Sequence, residues 1–123
     1  MNGTTLRNMT VEELVERFFA AGLKQDEALR RDDNAAYNRL YRQMDDIEKE
    51  LKARVGDQRR VLVRLYEHPN AQVRLTAAMA TLALAPEAAR RTLQAICDRQ
   101  EYPQAADARG TIRAIDAGTF IPS

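Results

Sequence analysis

The feature that most constrains this chain is an apolar side chain at every third or fourth position through most of its length. The clearest stretch places six such side chains on one helical face: Tyr37, Leu40, Tyr41, Met44, Ile47 and Leu51. A strand would instead alternate apolar and polar side chains at every second position. Charged residues make up 30% of the chain and Trp is absent, which also suits amphipathic helices. We therefore predict an all-α fold.

Capping residues and breaks divide this pattern into about six helices. Thr10 and Glu13 have the spacing of a capping box, which would start the first helix. The polar cluster at residues 32–34 separates it from a second helix. Because the link between them is short, the two helices are expected to form an antiparallel hairpin over residues 10–54. Residues 1–8 precede the cap and are predicted to be a loose tail.

Two prolines 34 residues apart organise the second half of the chain. Pro69 and Pro103 each follow a short helix and precede another one, and the second helices are predicted over residues 70–84 and 104–117. The helix at 70–84 has so little polar surface that it should be covered on more than one side. A period near 34 residues is typical of helical repeats, so residues 57–117 are predicted to form two helix pairs.

Single residues mark the remaining boundaries. Asp57 is placed to cap the third helix, and Gly118 is expected to end the sixth in a left-handed conformation. Phe120 and Ile121, in the C-terminal tail, are then expected to fold back on the core. No linker or low-complexity segment interrupts the chain, so we predict a single domain over residues 1–123.

The segment His68-Pro-Asn-Ala-Gln-Val-Arg-Leu-Thr-Ala-Ala-Met-Ala-Thr-Leu resembles the start of the second helix of a HEAT repeat. The next pair keeps Pro103 and Arg109 but has Asp107-Ala108 in place of the Val-Arg pair, so it resembles a degenerate copy.

A resemblance to an uncharacterised bacterial family covers most of the chain. It is carried by Glu13-Leu-Val-Glu-Arg-Phe, Gln25-Asp-Glu-Ala-Leu, Tyr37-Asn-Arg-Leu-Tyr, Glu50-Leu-Lys-Ala-Arg, the His68-Pro-Asn segment and Glu101-Tyr-Pro-Gln-Ala. On these residues the chain is similar to the domain-of-unknown-function family two-zero-one-nine, small HEAT-like proteins. The resemblance implies a short alpha-alpha superhelix of helix hairpins in a bacterial cytoplasm, and it implies no catalytic residues.

Composition narrows the classes of function. The net charge is +1, but residues 1–53 carry 9 basic and 11 acidic side chains, whereas residues 54–123 carry 10 and 7. Because basic side chains exceed acidic ones only slightly, nucleic-acid binding is less expected, although a local basic patch is not excluded. A single cysteine requires no oxidising compartment, and no apolar run approaches the length of a membrane span. We expect a cytoplasmic protein that does not enter a membrane.

The residues that usually carry chemistry have simpler structural interpretations here. His68, the single histidine, lies in a proline turn, and Cys97 lies on an apolar face. The aspartate pairs at residues 32–33 and 45–46 suit capping and solvation better than metal binding, because adjacent helical side chains diverge by about 100°. We therefore predict no catalytic residue, no metal site, no cofactor and no enzymatic activity.

Arginines are the remaining candidates for a binding site. In the HEAT pattern the arginine at the position of Arg74 typically braces adjacent repeats, and we prefer that role to ligand binding. The other candidates would line the outer helices or the last helix as a basic rim: Arg59, Arg60, Arg90, Arg91, Arg109 and Arg113. A solvated face is the alternative interpretation for these six side chains.

A stack of helix hairpins offers a preformed curved surface, so our first hypothesis is a protein-interaction module. Some related small HEAT-like proteins belong to toxin–immunity systems, an analogy that favours a protein partner of unknown identity. The helices at 70–84 and 104–117 would line its concave side. The alternative hypothesis is nucleic-acid binding through the arginine rim. Nothing in the sequence predicts the oligomeric state.

Overall fold

A computed structural model of the protein describes residues 6–123, and this part of the chain contains helices and no strand. The α-helices are α1 (Val11–Arg30), α2 (Asn34–Ala53), α3 (Ala71–Ala80), α4 (Pro86–Asp98) and α5 (Gln104–Ala117), with a 3-10 helix at Gln58–Glu67 between α2 and α3. The prediction of an all-α fold with about six helices is confirmed. The described residues divide into two compact units, with the boundary between Val61 and Leu62. The single domain expected over residues 1–123 stays a prediction.

The first unit is built on the packing of α1 against α2. Thr10 Oγ1 accepts a hydrogen bond from the Glu13 amide at 3.1 Å, and Glu13 Oε1 accepts one from the Thr10 amide at 2.8 Å. The predicted capping box is therefore present. Along α2 the expected apolar stripe is buried at residues 40, 44, 47 and 51, but Tyr41 is 60% exposed and does not belong to the core.

The prediction of a loose tail is wrong for residues 6–8, while residues 1–5 lie outside the described part of the chain. Leu6 is only 7% exposed. Arg54, at the end of α2, donates from Nη2 to the carbonyl oxygens of Leu6 at 3.1 Å and Met9 at 2.7 Å. An apolar side chain and two backbone acceptors therefore attach this segment to the first unit, and neither contact is visible in local sequence spacing.

The predicted third helix is present as a 3-10 helix. Asp57 precedes it with a φ of +49°, and its carboxylate accepts a hydrogen bond from the Arg59 amide at 3.3 Å. Leu62 and Leu65 are buried. Residues three apart are aligned on a 3-10 helix and lie on one face of an α-helix, so this short apolar pattern could not distinguish the two.

In the second unit, α4 packs against both α3 and α5. Eight buried side chains form its core: Leu75, Ala78, Leu82, Ala89, Leu93, Ile96, Ala105 and Ala108. Seven of the ten residues of α3 are buried, which confirms the covering expected of this helix. However, α3 ends at Ala80 rather than at residue 84. The Thr81 hydroxyl instead donates to the Ala77 carbonyl at 2.8 Å as the chain turns toward α4.

The start of α4 and the end of α5 follow local rules. Pro86 lies in the first turn of α4, where no intrahelical donor is needed. Gly118 ends α5 with a φ of +74°, which confirms the left-handed cap. The expectation that Phe120 and Ile121 fold back on the core is wrong, because they are 39% and 80% exposed. The tail instead caps the helix through its backbone, because the Thr119 and Phe120 amides donate to the Ala114 carbonyl at 3.0 and 3.2 Å.

Candidate interaction surfaces of the second unit

Arg74 lies at the centre of the most connected polar cluster in the second unit. It is 6% exposed, and its guanidinium donates from Nη1 and Nη2 to the two carboxylate oxygens of Glu101, each at 2.7 Å. Nε donates to the His68 carbonyl at 2.7 Å, and Nη2 also reaches the Pro69 carbonyl at 3.3 Å. The guanidinium thus joins the turn before α3 to the turn before α5. These contacts are of the kind that the predicted bracing role of Arg74 requires, and the role itself stays a prediction.

This pairing also fixes the charge state of the acid. The hydrogen bonds from Arg74 hold the pKa of Glu101 below its ordinary value, against the opposing effect of burial, and the nearby positive charge of Arg99 acts in the same direction as Arg74. The bidentate pair uses both carboxylate oxygens, and together with the contacts to the His68 and Pro69 carbonyls it occupies four of the five guanidinium N–H donors. Arg74 therefore has little hydrogen-bonding capacity left for a ligand.

Arg59 does not belong to an exposed rim, contrary to the prediction. It is 5% exposed, and it donates from Nε and Nη2 to the Asp57 carboxylate at 2.9 and 2.7 Å. Arg59 also acts on Glu48, whose pKa is raised above its ordinary value mainly by burial and is lowered in part by the Arg59 charge. Arg60, the next residue, is exposed.

Arg90 is partly neutralised by an ion pair between α4 and α5. Its Nη1 and Nη2 atoms donate to the two Asp116 carboxylate oxygens at 2.6 and 2.9 Å, and the pKa of Asp116 is lowered by this pairing. Both side chains are well exposed, with accessible fractions of 41% and 56%, so water and salt screen the pair. Arg90 lies on the surface as predicted, but its charge is partly cancelled.

The beginning of α5 presents an exposed aromatic and cationic pair. Tyr102 is 57% exposed, Arg109 Nη2 donates to its hydroxyl at 3.1 Å, and the guanidinium carbon lies 6.0 Å from the ring centroid. Arg113 follows one turn later and is exposed, with no ion pair or side-chain hydrogen bond within residues 6–123. We call Tyr102, Arg109 and Arg113 the Tyr102 face. Sequence reasoning found both arginines but missed the tyrosine.

A shallow depression of about 250 Å3 lies beside α4 and forms a second surface, which we call the arginine groove. Its lining residues are Tyr66, Glu67, Arg74, Ala88, Arg91, Thr92, Ala95 and Arg99. Arg91 and Arg99 are exposed, and neither side chain forms an ion pair or hydrogen bond in the described part of the chain. Arg91 was predicted as a candidate, whereas Arg99 was missed. The i, i+4, i+7 spacing of Ala88, Thr92 and Ala95 was the signal that could have found this face.

The remaining polar candidates have local structural partners. His68 Nδ1 accepts a hydrogen bond from the Asn70 amide at 3.0 Å, and Cys97 Sγ donates to the Ala105 carbonyl at 3.6 Å. Gln104 Nε2 donates to Gln72 Oε1 at 3.0 Å between two buried side chains, a contact that sequence reasoning did not anticipate. Within residues 6–123, no three metal-ligating side chains converge. In the same range, no helix is long and apolar enough to cross a membrane.

Comparisons with known proteins agree with this architecture. The chain is similar to the crystal structure of the protein RPA1889 from Rhodopseudomonas palustris CGA009, with 47% sequence identity and a TM-score of 0.94. The match covers 96% of this chain and 98% of that one. No curated protein matches the chain. The model of the family described as "Domain of unknown function (DUF2019)" matches residues 12–116, which confirms the predicted resemblance. The chain therefore belongs to the DUF2019 family of uncharacterised proteins.

Proposed function

We propose that the protein is a protein-interaction module, and that its second unit contains the binding surface. The observation that carries this proposal is the division of its arginines into two groups. Arg74 and Arg90 are used in ion pairs within the unit, whereas Arg91, Arg99 and Arg113 are exposed and form no ion pair or side-chain hydrogen bond among the described residues, although the Arg99 charge acts on Glu101 from a distance. Cations left unpaired in this way are available to a partner, and they add no intramolecular ion pair to the fold.

The composition of the Tyr102 face supports the same proposal. Arginine and tyrosine are enriched among the residues that dominate binding energy in protein interfaces. The contact with Arg109 limits the rotation of Tyr102, so less side-chain entropy is lost when a partner covers the ring. By contrast, α3 is mostly buried and offers little surface, with Met79 as its exposed large apolar side chain. We therefore assign the interface to α4 and α5 rather than to the helix at residues 71–80.

The HEAT-like interpretation is part of this proposal. It is supported by Asn70, whose side chain caps α3 after Pro69 by accepting from the Gln72 and Val73 amides at 2.9 and 3.2 Å. It is also supported by Arg74, which links two successive turns as the repeat arginine does in the HEAT pattern. A non-enzymatic role is supported by the local hydrogen bonds that occupy His68 and Cys97. A location in the cytoplasm completes the proposal.

Affinity capture from the native cell tests the proposal. The variant Arg109→Glu with Arg113→Glu reverses two charges on the Tyr102 face, and we expect it to lose a protein that the wild type captures. Arg39→Glu with Arg42→Glu is the matched control, because both residues are exposed on α2 and the charge change is the same. Circular dichroism should show unchanged helix content in both variants. Identical capture by all three proteins would contradict the proposed surface.

Nucleic-acid binding through the arginine rim is the alternative proposal. The unpaired guanidinium groups of Arg91, Arg99 and Arg113 favour it, whereas the ion pairs of Arg59 and Arg90 reduce the positive field that a phosphate backbone would meet. This proposal requires an affinity that falls linearly with the logarithm of salt concentration. If no DNA or RNA is retained in a gel-shift assay at low salt, the alternative fails.

A further inference from the structure

We propose that the arginine groove binds an acidic peptide segment of a partner protein, through carboxylates that pair with Arg91 and Arg99. This inference rests on the proposed protein-binding function and assigns a chemical class to the partner. The groove lies on the side of α4 that faces the end of the 3-10 helix and the start of α3, and all of its lining residues belong to the second unit.

The spacing of the two cations defines what the groove can recognise. Arg91 lies in the middle of α4 and Arg99 immediately follows its last residue. Eight residues separate them, which corresponds to about 12 Å along a helix axis. Two carboxylates seven or eight residues apart on a helical segment span about the same distance. Each would replace the water around an exposed guanidinium with a charge-assisted hydrogen bond.

The base of the groove allows a polypeptide to approach closely. Ala88, Thr92 and Ala95 present short side chains along α4, with Thr92 and Ala95 between the two cations, and the Thr92 hydroxyl donates a hydrogen bond to the Ala88 carbonyl at 3.0 Å. Small side chains let a second helix or backbone lie near the axis of the first. Arg74 also lines the groove, but it is paired with Glu101 and bonded to the His68 and Pro69 carbonyls, so it contributes rigidity rather than a free charge.

The charge pattern favours a peptide over a nucleic acid. Glu67 also lines the groove and is exposed, so an acidic side chain shares the groove with Arg91 and Arg99. A phosphate backbone carries closely spaced negative charges and would be repelled at Glu67. A peptide can place neutral or cationic residues there and keep its carboxylates at Arg91 and Arg99. This mixed lining fits a sequence with separated acidic residues.

The test uses the full chain and two synthetic peptides of about 15 alanine-rich residues. One has two glutamates seven residues apart, about 10.5 Å on a helix, and the other has glutamine at both positions. Binding is followed by backbone amide NMR shifts at low salt, where exposed ion pairs are screened least. We expect the glutamate peptide to shift amides between residues 88 and 99, and the glutamine peptide to leave them unchanged.

Variants separate a binding groove from a merely charged surface. Arg91→Glu with Arg99→Glu should lower the affinity for the glutamate peptide by about tenfold or more, and a tenfold change corresponds to about 1.4 kcal/mol in binding free energy. Arg91→Lys with Arg99→Lys keeps the charge and should retain measurable binding. Arg39→Glu with Arg42→Glu, which reverses two exposed charges on α2, should bind the peptide as the wild type does. A thermal melt of each variant checks that the fold is intact.

Several results would contradict the proposal that the groove binds an acidic peptide. These are the absence of any shift with the glutamate peptide, equal shifts with the glutamine peptide, and wild-type affinity in Arg91→Glu with Arg99→Glu. Tighter binding of a single-stranded oligonucleotide at the same amides would assign the groove to nucleic acid instead. If the native cell yields a partner that the Arg91 and Arg99 variant still captures, the groove fails while the protein-binding function stands.

Discussion

Replacing Arg74 with methionine removes the guanidinium but keeps a long apolar side chain in the space that it occupies. In the wild type this group makes two bonds of 2.7 Å to Glu101 and one of 2.7 Å to the His68 carbonyl. The variant leaves the carboxylate without its partner and the carbonyl without its donor. We expect it to be folded but clearly less stable, because the side chain is buried and its partners lie 27 and 6 residues away in sequence.

The magnitude follows from the contacts that are lost. A hydrogen bond to a charged group contributes about 1.5–3 kcal/mol, and an unsatisfied buried acceptor costs about 1–3 kcal/mol. Glu101 retains 27% of its side-chain exposure, so water compensates part of its loss. We therefore expect Arg74→Met to lower the free energy of unfolding by about 2–4 kcal/mol, and Glu101→Gln by about 1–2 kcal/mol. For a chain of this size, the loss of about 2–4 kcal/mol in Arg74→Met corresponds to a fall of about 8–15 °C in Tm.

Urea denaturation of the two single variants and the double variant measures the coupling between these side chains. We expect the double variant to be less destabilised than the sum of the single changes, because each single change already removes the shared interaction. An Arg74→Met variant within about 0.5 kcal/mol of the wild type would refute the bracing role, since that range is typical of exposed surface substitutions.

The pH dependence provides a second measurement on the same pair. The pKa of Glu101 is lower in the folded protein than its ordinary value near 4.5, so folding favours the ionised carboxylate. The resulting stability is present above the pKa of the unfolded chain and is lost as pH falls through the folded pKa. Wild-type protein should therefore lose stability more steeply below about pH 4.5 than Glu101→Gln does. Parallel pH curves for the two proteins would contradict this assignment.

Two further substitutions test the description of the core and the tail. Leu93→Ala should lower the free energy of unfolding by about 3 kcal/mol in urea denaturation, because Leu93 is fully buried in the core of the second unit; a loss below about 1 kcal/mol would contradict that packing. Ile121→Ser should leave stability within about 0.5 kcal/mol of the wild type, because Ile121 is 80% exposed. A loss as large as that of Leu93→Ala would mean that the tail packs on the core after all.

Features that depend on neighbouring residues were predictable from the sequence. The Thr10 and Glu13 capping box, the Asn70 cap and the left-handed Gly118 each involve residues within three or four positions of one another. Their geometry is set by helix ends, which follow the same rules in any protein. For the same reason the helical class and most helix limits were correct, and the end of α3 was not. There Thr81 forms a side-chain bond to the preceding turn that apolar spacing does not report.

Features that depend on distant residues were only partly predictable. The role of Arg74 was anticipated from the repeat pattern, but its partner Glu101 lies 27 residues away and could not be identified. Arg54 binds the carbonyl of Leu6 across 48 residues, which is why a segment without helical spacing was mistaken for a loose tail. The pair formed by Gln72 and Gln104 was missed for the same reason. Sequence patterns report which face of a helix is buried but not which polar groups meet there.

Counting charges along the sequence could not locate the exposed cations of the candidate site. Residues 54–123 carry 10 basic and 7 acidic side chains, which predicted a basic half but not where its charge would lie. Arg59, Arg74 and Arg90 were all candidates on sequence grounds, but each forms an ion pair whose carboxylate offsets its positive charge. Arg99 was not a candidate, yet it is exposed and unpaired in the described part of the chain. Pairing, rather than position in the sequence, decides which cations a partner can reach.

This division of arginines also separates stability from binding. Arg74 is buried and used within the fold, so its loss should change the free energy of unfolding first. Arg91 and Arg99 contribute no intramolecular ion pair, so reversing their charges should alter association while leaving the melting temperature nearly unchanged. If both sets of variants lowered stability equally, the groove arginines would have to be structural. The contrast between the two sets therefore tests the functional proposal independently of any partner's identity.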